Sequence, residues 1–129
     1  MAATIVVMVE DLIFLAKIQE AARAVGLAVI AGNSLPTVTS IAQAQPQAIL
    51  LDLNSRTLPV VKWVQSLKAD PATNPIPIVG FVSHVQSDLI AAGRAAGCDL
   101  VLARSAFSQR LPDLLRKLGG EPFAAPAGN

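Results

Sequence analysis

Five short aliphatic runs punctuate the chain: TIVVMV at 4–9, LAVIA at 27–31, AILLDL at 48–53, IVGFV at 78–82 and LVLA at 100–103. Successive side chains of a strand point to opposite sides, so runs that are apolar at consecutive positions suit strands covered on both faces. Between the runs lie segments with helical spacing or helix-start residues. Parallel neighbours need right-handed crossovers, and each crossover covers a face of the sheet. Five such alternations predict a doubly wound α/β fold: a five-stranded parallel sheet with helices on both faces.

The helical segments carry their own signals. Over Leu12 to Val25, the apolar Phe14, Leu15, Ile18, Ala22 and Val25 recur at helical spacing, with Asp11 able to cap the start and Gly26 to supply a left-handed exit. Ser34 and Pro36 open a short second helix through TVTSIAQA that stops before Pro46. Val60 to Ala69 places Val61, Val64 and Leu67 inside, and Lys62, Gln65 and Lys68 on the wet side. Asp88 to Ala96 forms a fourth helix closed by Gly97, and a final helix runs to Leu118. Pro112 lacks the donor that a mid-helix position must supply, which predicts a start for that last helix as late as Leu111. Residues 1–118 read as one domain and 119–129 as a flexible tail.

At 129 residues, 53% hydrophobic and 15% charged, the chain can bury a single core, and with 4% aromatics that core is aliphatic. Ten basic residues scattered through a chain of net charge +1 form no basic stripe, so no nucleic-acid partner is expected. The single cysteine, Cys98, excludes an internal disulfide and a thiolate metal cage, and its setting suits a half-buried structural thiol. The opening MAATIVVMVED lacks a basic n-region and meets two acids after a short apolar run, which fits neither a signal peptide nor a membrane span. A cytoplasmic protein without a membrane partner is the expectation.

Ligands of open parallel sheets bind beyond the carboxyl ends of the strands. The first run ends in Glu10 and Asp11 and the third in Asp52, so three carboxylates are expected to converge on one rim. Such a group repels itself and holds protons unless a hard divalent cation neutralises it, and Mg²⁺ is the natural guest. Equally open on spacing alone is a plainer reading, in which Asp11 caps the first helix and Glu10 is solvated.

These residues resemble the receiver domains of bacterial response regulators, which are related to the stand-alone chemotaxis receivers. The resemblance runs from Thr4 to about Leu118 and rests on VVMVED, PQAILLDLN, LKADPATNPIPIVGFVS and AAGCDLVLARSAFS, in that order. It implies the flavodoxin-like strand order 2-1-3-4-5. It makes Asp52 the phosphoacceptor, with Asp11 and Asp52 contacting Mg²⁺, Glu10 holding the ion mainly through water and the Asn54 backbone carbonyl a further ligand. The implied function is phosphorelay signalling in a two-component system, with a sensor histidine kinase, a phosphotransfer protein or a small phosphodonor supplying phosphate. No enzymatic activity is implied beyond self-phosphorylation and autodephosphorylation.

Against the family pattern, the chain departs at its switch residues. Val82 stands where the switch threonine belongs, and Ser83 could replace that hydroxyl only if the fourth strand ended in a bulge or irregular turn. Arg104 and Ser105 replace a Lys-Pro pair, Val101 replaces a switch aromatic, and the loop after Asp52 reads NSRTLP. Arginine keeps the charge but presents a planar fork. Arg56 and Arg104 could each pair with Asp52 or Glu10, giving a fixed cluster and hence a pseudo-receiver. That alternative is a phosphorylation-independent interaction or homodimerisation module working through the fourth helix, fifth strand and fifth helix. His84 reads as a solvated loop residue, and Trp63 as partly buried rather than an exposed anchor. A doubly wound enzyme of another kind finds no support, since the chain has no glycine-rich phosphate loop, nucleophile elbow or metal-ligating histidine pair.

Overall fold

A computed structural model of the chain describes residues 3–31, 37–55, 59–83 and 87–120. Strands β1 (Ala3–Met8), β2 (Leu27–Ala31), β3 (Ala48–Asp52), β4 (Ile78–Val82) and β5 (Leu100–Ala103) alternate with helices α1 (Leu12–Ala24), α2 (Val38–Ala44), α3 (Val60–Ala69), α4 (Ser87–Ala96) and α5 (Arg104–Gly120). All strand pairs are parallel, and the order is β2-β1-β3-β4-β5, as the resemblance implied. Met8 lies opposite Leu51, Asp52 opposite Phe81 and Val82 opposite Ala103, so four strands end at one rim.

Strand alternation divides the core in two. Ile5, Val7, Leu50, Val79 and Phe81 face α1 and α5, where Phe14, Ile18, Phe107 and Leu115 meet them. Val6, Met8, Ile49, Leu51, Ile78 and Val82 face the other way, against Ile41, Val64 and Leu67 of α2 and α3 and Ala96 of α4. On the first side Phe14, Phe81 and Phe107 form an aromatic triad with ring centroids 4.6 to 5.9 Å apart. Trp63 is partly buried against the second core, and Cys98 is buried there, its thiol pushed up to about 11 chiefly by burial.

Local chemistry accounts for several helix ends. Asp11 Oδ1 accepts from the amides of Ile13 and Phe14, which caps α1, and Gly26 follows its end at φ +79. Thr37 caps α2, while Ser34 and Pro36, expected to open that helix, lie outside the described residues. Beyond α3, the buried Thr73 donates its hydroxyl to the Leu67 carbonyl at 2.6 Å. Lys68 Nζ reaches the carbonyls of Asn74 and Ile76 and Asp99 Oδ2, each at 3.0 Å, and Asp99 Oδ2 accepts from the Ile78 amide. This staple closes the rim opposite the strand ends.

The last helix corrects the expected late start. It begins at Arg104 and runs through Pro112. Phe107, Leu111, Leu114 and Leu115 are buried at helical spacing on both sides of the proline, so packing outweighs the one missing donor. Pro112 itself is exposed, which lets water reach the carbonyl left without a helical partner.

Two stability changes should follow. Gly97 sits at φ +121, and a Cβ there would lie 2.6 Å from Lys68 Cγ; Gly97→Ala is expected to cost about 1–3 kcal/mol in urea unfolding. Pro112→Ala should restore the helical bond to the Ser108 carbonyl and raise the unfolding free energy by about 1–2 kcal/mol, the gain being reduced by a freer unfolded chain.

Candidate functional site

The carboxyl-end rim gathers the residues singled out in the sequence. Asp52 closes β3 and is half-buried, and the loop behind it is pinned to the neighbouring strand: the Leu53 amide donates to the Phe81 carbonyl at 2.9 Å. Leu53 is buried against Gly80 of β4 and Gly93 of α4. A Cβ at Gly80 would lie 3.0 Å from its Cδ1, and one at Gly93 2.8 Å. The apolar side chain thus anchors the turn that presents Asp52.

Asn54 completes that turn. Its amide donates to Asp52 Oδ1 at 2.8 Å, and its own Oδ1 accepts from the Ser83 amide at 2.6 Å, tying the β3 loop to the end of β4. No donor among the described residues bonds Asp52 Oδ2. Burial raises the Asp52 pKa; the Asn54 amide and Arg104 oppose this, and the charges of Glu10 and Asp11 add to it. Asp52 therefore feels two like charges and one opposite charge across the rim.

Each of the other acids has a partner of its own. The Ser55 hydroxyl donates to Glu10 Oε1. Asp11 Oδ2 takes a hydrogen bond from Arg104 at 2.7 Å, and that bond, followed by those from the backbone, holds Asp11 below the usual carboxylate range. The guanidinium carbon of Arg104 also lies 4.2 Å from the centroid of the Phe14 ring. The ion pair foreseen for Arg104 with Asp52 or Glu10 thus forms with Asp11. The first residue of α5 stacks on Phe14, and Phe14 lies one helical turn from the α1 cap, which puts Asp11 within reach. Arg56 and His84 lie outside the described residues.

The three carboxylates therefore line one rim without closing into a chelating cluster. Among the described residues no group of three or more His, Cys, Asp or Glu side chains is disposed to hold a metal ion. Their all-oxygen donor chemistry still suits a hard divalent cation. At the end of β4, Val82 is fully buried in the core against α3 and α4, and Ser83 is exposed just past the strand. Reading the sequence alone assigns Asn54 only a carbonyl role, and Phe14 only a core one. Their bonds to Ser83 and Arg104 depend on chain segments far apart in sequence, and no local pattern marks them.

The chain matches no protein-family model and no curated protein. Solved structures do match it over nearly its whole length. The phosphorylated cyanobacterial phytochrome response regulator RcpA is 19% identical, with a TM-score of 0.75 over 98% of this chain and 99% of that one. A response regulator from Hahella chejuensis is 17% identical, with a TM-score of 0.78 over 95% and 99%. The receiver domain of a sensor histidine kinase from Pseudomonas aeruginosa, solved with a magnesium ion coordinated in its active-site cleft, is 18% identical, with a TM-score of 0.76 over 94% and 100%. The chain has the fold of response-regulator receiver domains. Among the described residues no helix is long and apolar enough to cross a membrane.

Because the folded-state pKa of Asp52 lies above the unfolded value, its favourable contribution is full below the unfolded value and is lost as pH rises through the folded one. Asp52→Asn, neutral throughout, should therefore unfold at higher urea than wild type at neutral pH, with the difference closing below about pH 4.

Proposed function

We propose that the chain is an atypical receiver domain of a two-component phosphorelay, taking phosphate on Asp52 from a phosphohistidine of a sensor kinase or phosphotransfer protein, or from a small acyl phosphate. The observation that carries this reading is the pose of Asp52, with Oδ1 fixed by the Asn54 amide and no donor among the described residues on Oδ2. In the reaction, Oδ2 attacks phosphorus, an acyl-phosphate P–O bond forms, the bond from phosphorus to the donor breaks, and the donor leaves with that electron pair. Glu10, Asp11, Asp52 and the Asn54 carbonyl are the groups that would hold Mg²⁺. When bound, the ion supplies neutralisation of the carboxylate and phosphoryl charges. Magnesium in the receiver from Pseudomonas aeruginosa supports that assignment.

Arg104 takes the place of the family's lysine as the fixed cation for phosphoryl oxygens. Val82 offers no hydroxyl to read the phosphate, so the relay to the α4, β5 and α5 face is weakened. The same burial of Val82 favours a second reading, a pseudo-receiver that docks or homodimerises through that face without phosphoryl chemistry. In either case the domain is a cytoplasmic signalling module rather than an enzyme with turnover.

Incubation with acetyl phosphate and MgCl₂ should add a single phosphate by intact mass, and Asp52→Asn should add none. No adduct from acetyl phosphate or phosphoramidate would overturn the phosphoacceptor reading and leave the docking module.

A further inference from the structure

We propose that Arg104 is a built-in competitor for the divalent cation, seated on Asp11 and Phe14, so that metal loading of the rim requires the guanidinium to be exchanged off Asp11. The proposal rests on the reading of this rim as a metal-assisted phosphoacceptor site. Both oxygens of Asp11 are engaged: Oδ1 accepts from the Ile13 and Phe14 amides at 2.9 and 3.0 Å, and Oδ2 from Arg104 at 2.7 Å. A cation that uses Asp11 must take Oδ2 from the guanidinium, because Oδ1 is committed to the cap of α1.

The guanidinium is seated by more than charge. Its carbon stands 4.2 Å from the Phe14 ring centroid, and that ring is itself held by Phe81 and Phe107, at 5.1 and 5.9 Å between centroids. A planar guanidinium can stack and donate at once, whereas a lysine at this position would reach Asp11 as a hydrated point charge. Arginine at position 104 therefore does two things that lysine would not. It raises the cation concentration needed to load the rim, and once displaced its fork is released toward incoming phosphoryl oxygens while the stem stays beside Phe14. Metal arrival and the freeing of the phosphate-binding cation become a single exchange.

Calorimetric titration with MgCl₂ at constant ionic strength, on wild type, Arg104→Gln, Arg104→Lys and Phe14→Leu, tests this, with thermal melts confirming that each variant is folded. Arg104→Gln should bind Mg²⁺ about fivefold to tenfold more tightly than wild type, the size expected for one exposed ion pair plus its stacking contact. Arg104→Lys and Phe14→Leu should tighten binding by less, and NMR of the Arg104 guanidinium should show faster rotation at saturating Mg²⁺ than in the metal-free protein. Equal, measurable affinities in wild type and Arg104→Gln would overturn the competition while leaving the acid rim intact. An absence of binding in all four proteins would overturn the metal set of the proposed function, and the competition with it.

Discussion

A parallel sheet covered on both faces leaves charge nowhere to go but its two rims, and this constraint organises the molecule. In β3 the four residues before Asp52 are completely shielded from solvent, so the first ionisable group the strand can carry stands at its exit. Charge is treated differently at the two ends. At the amino-end rim, Lys68 and Asp99 satisfy each other and three backbone groups. The carboxyl-end rim holds Glu10, Asp11 and Asp52 with Arg104, and there burial, with the charges of Glu10 and Asp11 adding to it, raises the Asp52 pKa. One rim is a structural closure, whereas the other brings three carboxylates and a guanidinium together at the strand ends.

Much of this was legible in the sequence because it is local. Five aliphatic runs located the five strands, the spacing of Phe14, Ile18 and Ala22 located α1 and its buried face, and Asp11 and Gly26 marked its ends. The two readings of Asp11, helix cap and rim acid, do not compete. One oxygen caps the helix and the other faces the site.

What escaped the sequence is non-local. Pro112 signalled a break, but the four buried side chains around it bind α5 to the sheet more strongly than one absent hydrogen bond can oppose. Thr73 reads as an ordinary turn residue until the fold places its hydroxyl under the end of α3. Arg104 could be assigned to the rim by position, yet its choice of Asp11 over Asp52 and Glu10 depends on Phe14 offering a ring at the right height, which spacing along the chain does not encode.

The tie between Asn54 and Ser83 has a consequence of its own. Its donor at position 83 belongs to the main chain, so the link between the two loops is indifferent to which side chain stands there. Only proline, which has no amide hydrogen, would sever it. Position 83 is thereby open to evolutionary variation, able to gain or lose a hydroxyl, a charge or bulk, while the mechanical coupling of the Asp52 turn to the tip of β4 is inherited unchanged.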